Sequence, residues 1–276
     1  MDNSKDVLLH EYKIETKRVK KKIIYHFSDV HLTEYDAFSD EQEKDTAIKR
    51  KQQWDNIRRS FAETNGEPYI KESEKSTYEH FLNMLNVAND GDALVLTGDI
   101  CDYISGANLR VANAALEQFL KPIVYVKGNH EQTSEALEGV CFSGINNPAQ
   151  TLELDDVIII GLDNSARDIT AEQNEKLKAL LKKDKPILIA MHYPLMTDGN
   201  QDLIKKAGEY FRLNHDNASA EVLEFEDIIK QNGEKIIAVL AGHLHFMNNS
   251  EITNGVTQYV SSQGALGNIN RYEIGI

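Results

Sequence analysis

Short, unbroken apolar runs alternate with helical patterns along most of the chain. Ile23–Ser28, Ala93–Thr97, Ile123–Lys127, Val157–Leu162, Ile187–Met191 and Ile236–Ala241 are Ile- and Val-rich and bounded by turn residues. Each is too short for a helix, so the pattern predicts strands buried on both faces. Helical spacing fits Asn108–Leu120, Ala171–Lys183 and Ala220–Gln231, with Thr170 and Gln173 placed to form a capping box. Asn254-Gly255 between Glu251–Thr253 and Thr257–Val260 predicts a hairpin. Val7–Val19 alternates partly and reads as an edge strand, and the stretch to Ile276 as β-rich. Strands alternating with helices predict an α/β layered fold.

The pattern changes between Thr33 and Asp90. This segment is far longer than a crossover helix requires and is rich in Glu, Lys, Asp and Gln. Glu79–Asn89 reads as the crossover helix. Trp54, Ile57 and Phe61 recur at helical spacing, which predicts an amphipathic helix on the outer surface or a lid over a site. The expectation is one domain over residues 1–276 with a helical insertion at about 33–90 that forms a cap.

Composition narrows the function classes. A chain of 276 residues with 41% hydrophobic residues can bury a deep site. The formal charge of −14 repels nucleic acid and anionic lipid at long range, so no stable nucleic-acid or membrane partner is expected. The longest apolar runs are about six residues against the roughly 20 that a span needs. Met1–Asp6 lacks the apolar run of a secretory signal. Cys101 and Cys141 are too few for a disulfide scaffold, and the expectation is a cytoplasmic protein.

The candidate chemistry follows the strands. Their C-terminal ends read Asp29-Val30-His31, Gly98-Asp99 with Asp102 after it, Gly128-Asn129-His130-Glu131, His192, and Gly242-His243-Leu244-His245. In α/β sheets that edge is where sites form. Five of the nine histidines lie in these blocks. Asp, Asn and His suit borderline cations such as Mn, Fe, Zn or Ni. If extended, residues i and i+2 of Asp29-Val30-His31 and His243-Leu244-His245 point the same way. His26 reads as packed, while His10, His80 and His215 read as surface residues. Asp163-Asn164, Tyr103 and Tyr193 adjoin the site, and Cys101 reads as buried and inert.

Taken in order, D-x-H, GD, GNH[DE], a lone His and G-H-x-H resemble the calcineurin-like metallophosphoesterase superfamily. That resemblance implies a four-layer α/β/β/α sandwich of two mixed β-sheets flanked by helices. It implies two divalent or trivalent metal ions, with manganese or iron favoured over zinc or nickel. Asp29, His31 and His245 would hold one, and Asn129, His192 and His243 the other. Asp99 would bridge, one carboxylate oxygen to each. His130 would face the phosphate as general acid, oriented by the Asp102 carboxylate on its far ring nitrogen. The implied activity is hydrolysis of a phosphoester by a hydroxide shared between the cations. Leu32 and Tyr103-Ile104 stand where protein Ser/Thr phosphatases of the superfamily carry Gly and Arg-Gly. D-x-H-L with GDxxD is more similar to bacterial class III cyclic-nucleotide phosphodiesterases. A small phosphodiester is therefore the expected substrate. The alternatives are a phosphomonoesterase, a protein phosphatase, a nuclease or an inactive scaffold.

Overall fold

The computed structural model describes residues 7–66, 75–133, 147–208 and 211–276. Cys141 and Met1–Asp6 lie outside them. Among the described residues, eleven strands form two mixed sheets. The first contains β1 (Leu8–Ile14), β2 (Lys22–Phe27), β3 (Ala93–Leu96), β4 (Ile123–Tyr125) and β11 (Asn268–Ile274), in the order β1-β11-β2-β3-β4. The second contains β5 (Ala149–Glu153), β6 (Ile158–Leu162), β7 (Ile187–Ala190), β8 (Ile236–Ala241), β9 (Asn248–Thr253) and β10 (Val256–Val260), in the order β5-β6-β7-β8-β10-β9.

Three apolar clusters occupy the interfaces between four layers. Ile24, Val95 and Val124 of the first sheet meet Ile159, Leu188 and Leu240 of the second. Tyr25, Phe27 and Leu94 face the other way, onto α2 (Thr77–Ala88) and α3 (Gly106–Leu116). Ile158, Ile160 and Ile189 face α4 (Ala171–Leu181) and α5 (Ala220–Gln231). Strand alternation thus divides one continuous apolar run between two interfaces, which is why these runs lack polar residues. The sandwich matches the sequence expectation, as do the edge position of β1, the β9–β10 hairpin and the Thr170–Gln173 capping box.

Some readings are corrected. His80 is buried at 2% exposure rather than on the surface, packed in α2 beneath Gly267. The insertion is mainly α1 (Glu41–Asn65), started by Asp40 and closed by Gly66 in left-handed conformation. Its inner face consists of Ala47, Trp54, Arg58 and Ala62, whereas Ile57 is 42% exposed. The side chain of Phe61 lies outside the described positions. Among the described residues no helix is long and apolar enough to cross a membrane.

Candidate metal centre

The five sequence blocks meet at the C-terminal edges of both sheets. The chain leaves β2 and turns sharply. Asp29 N donates to Gly98 O, His31 N to Asp99 O and Leu32 N to Ile100 O. Asp29 and His31 have φ of 56° and 53°, and His243 and His245 have 71° and 59°. These segments are therefore not extended, contrary to the sequence expectation. The ligand-type residues are aimed together by left-handed turns. With Asp99 at 53°, five of the six non-glycine residues with positive φ in the described chain are candidate ligands. Asp and His are among the residues that best tolerate this region. Backbone strain gathered at one place is a mark of a functional site.

Two glycines let the loops close. Gly98, at φ 93°, lies so near the backbone of Gly128 that a Cβ would overlap it. A Cβ on Gly128 would in turn overlap the Asp99 carboxylate. Glu131 then ties the loops together. Its carboxylate is fully buried and accepts from the N–H groups of Asp99, Cys101 and Gly128 and from the Tyr125 hydroxyl. The sequence placed Glu131 beside a ligand, but carried no signal of this backbone role.

Two sets of donor atoms converge. In the first, His31 Nε2 and His245 Nε2 are 3.1 Å apart, and Asp29 Oδ1 lies 3.3 Å from His245 Nε2. Asp29 Oδ1 is buried without a hydrogen-bond donor. In the second, His192 Nε2 lies 3.0 Å from Asn129 Oδ1, 3.1 Å from His243 Nδ1 and 3.4 Å from Asp99 Oδ2. Facing imidazole nitrogens and an undonated buried carboxylate oxygen fit a shared cation better than they fit one another. His192 is aimed by its other nitrogen, which donates to Thr97 O at 2.6 Å, an arrangement common behind metal-binding histidines.

The electrostatics agree with cation binding. Burial pushes the Asp29 and Asp99 carboxyls up, but the surrounding imidazoles hold both well below the usual range. Burial opposes charge on His192 too, yet Asp99 lifts it to about 9. Burial and the neighbouring His192 push His243 down to about 3. The buried carboxylates thus create a negative potential that a cation would share.

His130 and Asp102 stand beside these sets. His130 Nδ1 lies 2.6 Å from the backbone carbonyl of Asp102, with the carboxylate Oδ1 at 3.3 Å. Asp102 thus meets this ring nitrogen through both its carbonyl and its carboxylate, the carbonyl being the nearer and the carboxylate being held by α1 as well. Arg50 grips it through Nε at 2.5 Å and Nη2 at 2.8 Å, and Trp54 Nε1 donates to it at 2.6 Å. Asn164 Oδ1 accepts from His192 N and Tyr193 N, whereas Asp163 pairs with Lys127 at 2.9 Å. Cys101 is buried and its thiol is pushed up by burial.

A cavity of about 380 Å³ opens above the donors, lined by Asp99, Asn129, His130, His243 and His245 and walled by Trp54, Ile57, Tyr193, Phe211 and Leu244. The family model for calcineurin-like phosphoesterases matches residues 23–247, which include every one of these blocks. The chain belongs to the calcineurin-like phosphoesterase family. It is a hydrolase of phosphoester bonds, and its donor clusters fit the binuclear metal site of that family. The structure of a dimetal phosphatase from Danio rerio is similar at TM-score 0.58 and 11% identity, covering 89% of this phosphoesterase and 88% of that chain. The protein TT1561 of Thermus thermophilus aligns at TM-score 0.47 and 13% identity over 89% and 91%. A 5'-nucleotidase from Candida albicans aligns at 0.43 and 12% over 91% and 47%. No curated protein matches this phosphoesterase significantly by sequence.

Proposed function

We propose that this phosphoesterase hydrolyses a small phosphodiester at two cations that share Asp99. Asp29, His31 and His245 would hold one, and Asn129, His192 and His243 the other. His130 N donates to Asp99 Oδ1 at 2.9 Å, which leaves Oδ2 as the oxygen turned to the cluster. Bound there, the cations would neutralise phosphate charge and make a nucleophile available from water near neutral pH.

The chain's own residues supply the rest. A carbonyl oxygen only accepts, so His130 Nδ1 carries a proton and Nε2 is the nitrogen left for the cavity. Burial opposes the charged ring, but Asp102 and Asp99 lift it to about 9. These carboxylates favour the protonated ring, which suits His130 to protonate a leaving alkoxide.

The observation that carries the diester reading is the cavity wall. Among the described lining residues there is no lysine or arginine to meet the extra charge of a monoester dianion. Five apolar or aromatic side chains instead offer a surface for a second ester group. The test is a comparison of bis-p-nitrophenyl phosphate, cyclic nucleotides, p-nitrophenyl phosphate and a phosphopeptide, each with Mn, Fe, Zn and Ni. A higher kcat/KM for the diesters is expected. Preference for p-nitrophenyl phosphate or the phosphopeptide would overturn the reading. A soluble cytoplasmic setting, without nucleic-acid or membrane partners, goes with it.

A further inference from the structure

Helix α1 approaches the donor edge with an unusual docking face. Arg50, Trp54 and Arg58 are spaced by four and lie on one side of the helix. Arg58 is 3% exposed and donates to Ala265 O, which anchors the helix away from the donors. Arg50 and Trp54 do something different. Both converge on the Asp102 carboxylate. The indole of Trp54 also stacks on His31, with ring centroids 3.9 Å apart and planes 20° apart. His31 Nδ1 lies 3.5 Å from Asp102 Oδ1.

We propose that Arg50 and Trp54 are positioning residues that lock Asp102 and His31 together, so that docking of α1 completes the first donor cluster. This rests on the assignment of His31 as a ligand in the preceding subsection. The geometry gives two reasons for the role. His31 needs its Nε2 lone pair aimed into the space it shares with Asp29 and His245, and the ring is held by stacking on one side with the Asp102 carboxylate 3.5 Å behind Nδ1. Asp102, His31 and His130 also converge closely enough to hold an ion themselves. The bidentate guanidinium and the indole N–H engage the Asp102 oxygens, which removes this carboxylate as a competing ligand. Among the described residues α1 makes no such contact with the second cluster, where His192 is aimed by Thr97 O within the sandwich and Tyr193 and Phe211 pack on His243.

The test uses the full chain stripped with EDTA, dialysed, and titrated with Zn²⁺ alone. Zn²⁺ is chosen because its filled d shell leaves the fluorescence of Trp54, the single tryptophan, undisturbed by ligand-field absorption. His31→Ala first identifies which calorimetric binding step belongs to the first cluster. Arg50→Met and the milder Trp54→Phe should each weaken that step by about 10–100-fold and leave the other within about threefold. Arg50→Lys, which keeps charge without the fork, should fall between. Trp54 emission in the wild-type protein should follow that step alone. Unchanged affinities overturn the proposal, as do equal losses at both steps with a lowered melting temperature, or emission that ignores the step. A wild-type chain that takes up no Zn²⁺ overturns the metal assignment itself, before any variant is made, and this proposal with it.

Discussion

The two donor clusters are built in contrasting ways. His192 and Asn129 stand on the sandwich, backed by Thr97 O, by Asn164 and by the glycine-tight loop that Glu131 ties. His31 is backed by a helix that comes from outside the sheets and grips through Trp54, Arg50 and Asp102. The imidazole of His192 is aimed by a buried backbone carbonyl, whereas that of His31 is packed by side chains of a docked insertion. Chemically similar donor sets can therefore depend on different parts of the fold.

Breaking what the two sides share should have the largest effect. Asp99→Asn removes the charge facing both sets. It should lower metal affinity at both by more than the 10–100-fold typical of losing an outer partner. Elemental analysis after desalting should then find fewer than two ions per chain, and full retention of both would count against the shared role. His130→Ala should retain both ions yet cut kcat by about 10²–10⁴ for a poor leaving group. The loss should shrink for p-nitrophenolate, and equal losses for both would assign His130 to phosphate positioning instead.

The core-backed side can be broken separately. Asn164→Ala strips partners from His192 N, Tyr193 N and Tyr193 O, all buried. Each orphaned group costs about 1–3 kcal/mol, so a total near 3 kcal/mol is expected after relaxation. Calorimetry should show a melting temperature lowered by roughly 6–12 °C, and a shift under 2 °C would contradict the backing role. The smallest effect concerns His26, which burial pushes down to about 3. The unfolded chain binds that proton first, so stability present above the unfolded value near 6.5 is lost as pH falls towards 3. Between pH 7 and 5 the loss is on the order of 2 kcal/mol. His26→Gln, compared with wild type in EDTA, should flatten the pH dependence by that amount. Parallel curves would show that His26 is not neutral in the fold.

The same contrast explains what the sequence disclosed. The donors of the sandwich follow apolar strands, so strand ends plus ligand-type residues exposed Asp29, Asp99, Asn129, His192 and His243 together. The role of α1 was obscured because helix docking is normally read from an apolar stripe. Its buried face combines Ala47 and Ala62 with Trp54 and Arg58, and Arg50 points to a carboxylate. Long-range polar pairing leaves no periodic trace. Glu131 and the Asp102 carbonyl were missed for a related reason, since backbone hydrogen bonds have no residue-type signature. His80 looked exposed because its polar ring gives no hint of the glycine above it.

The left-handed backbone at Asp29, His31, Asp99, His243 and His245 sets the chain's stability against its activity. Each such residue costs about 1–3 kcal/mol that a glycine would largely avoid. A library selected for heat tolerance alone, with no demand for turnover, should therefore drift towards glycine at His31 and His245. The sites where durable but inert descendants accumulate would outline the centre as clearly as any loss-of-function scan.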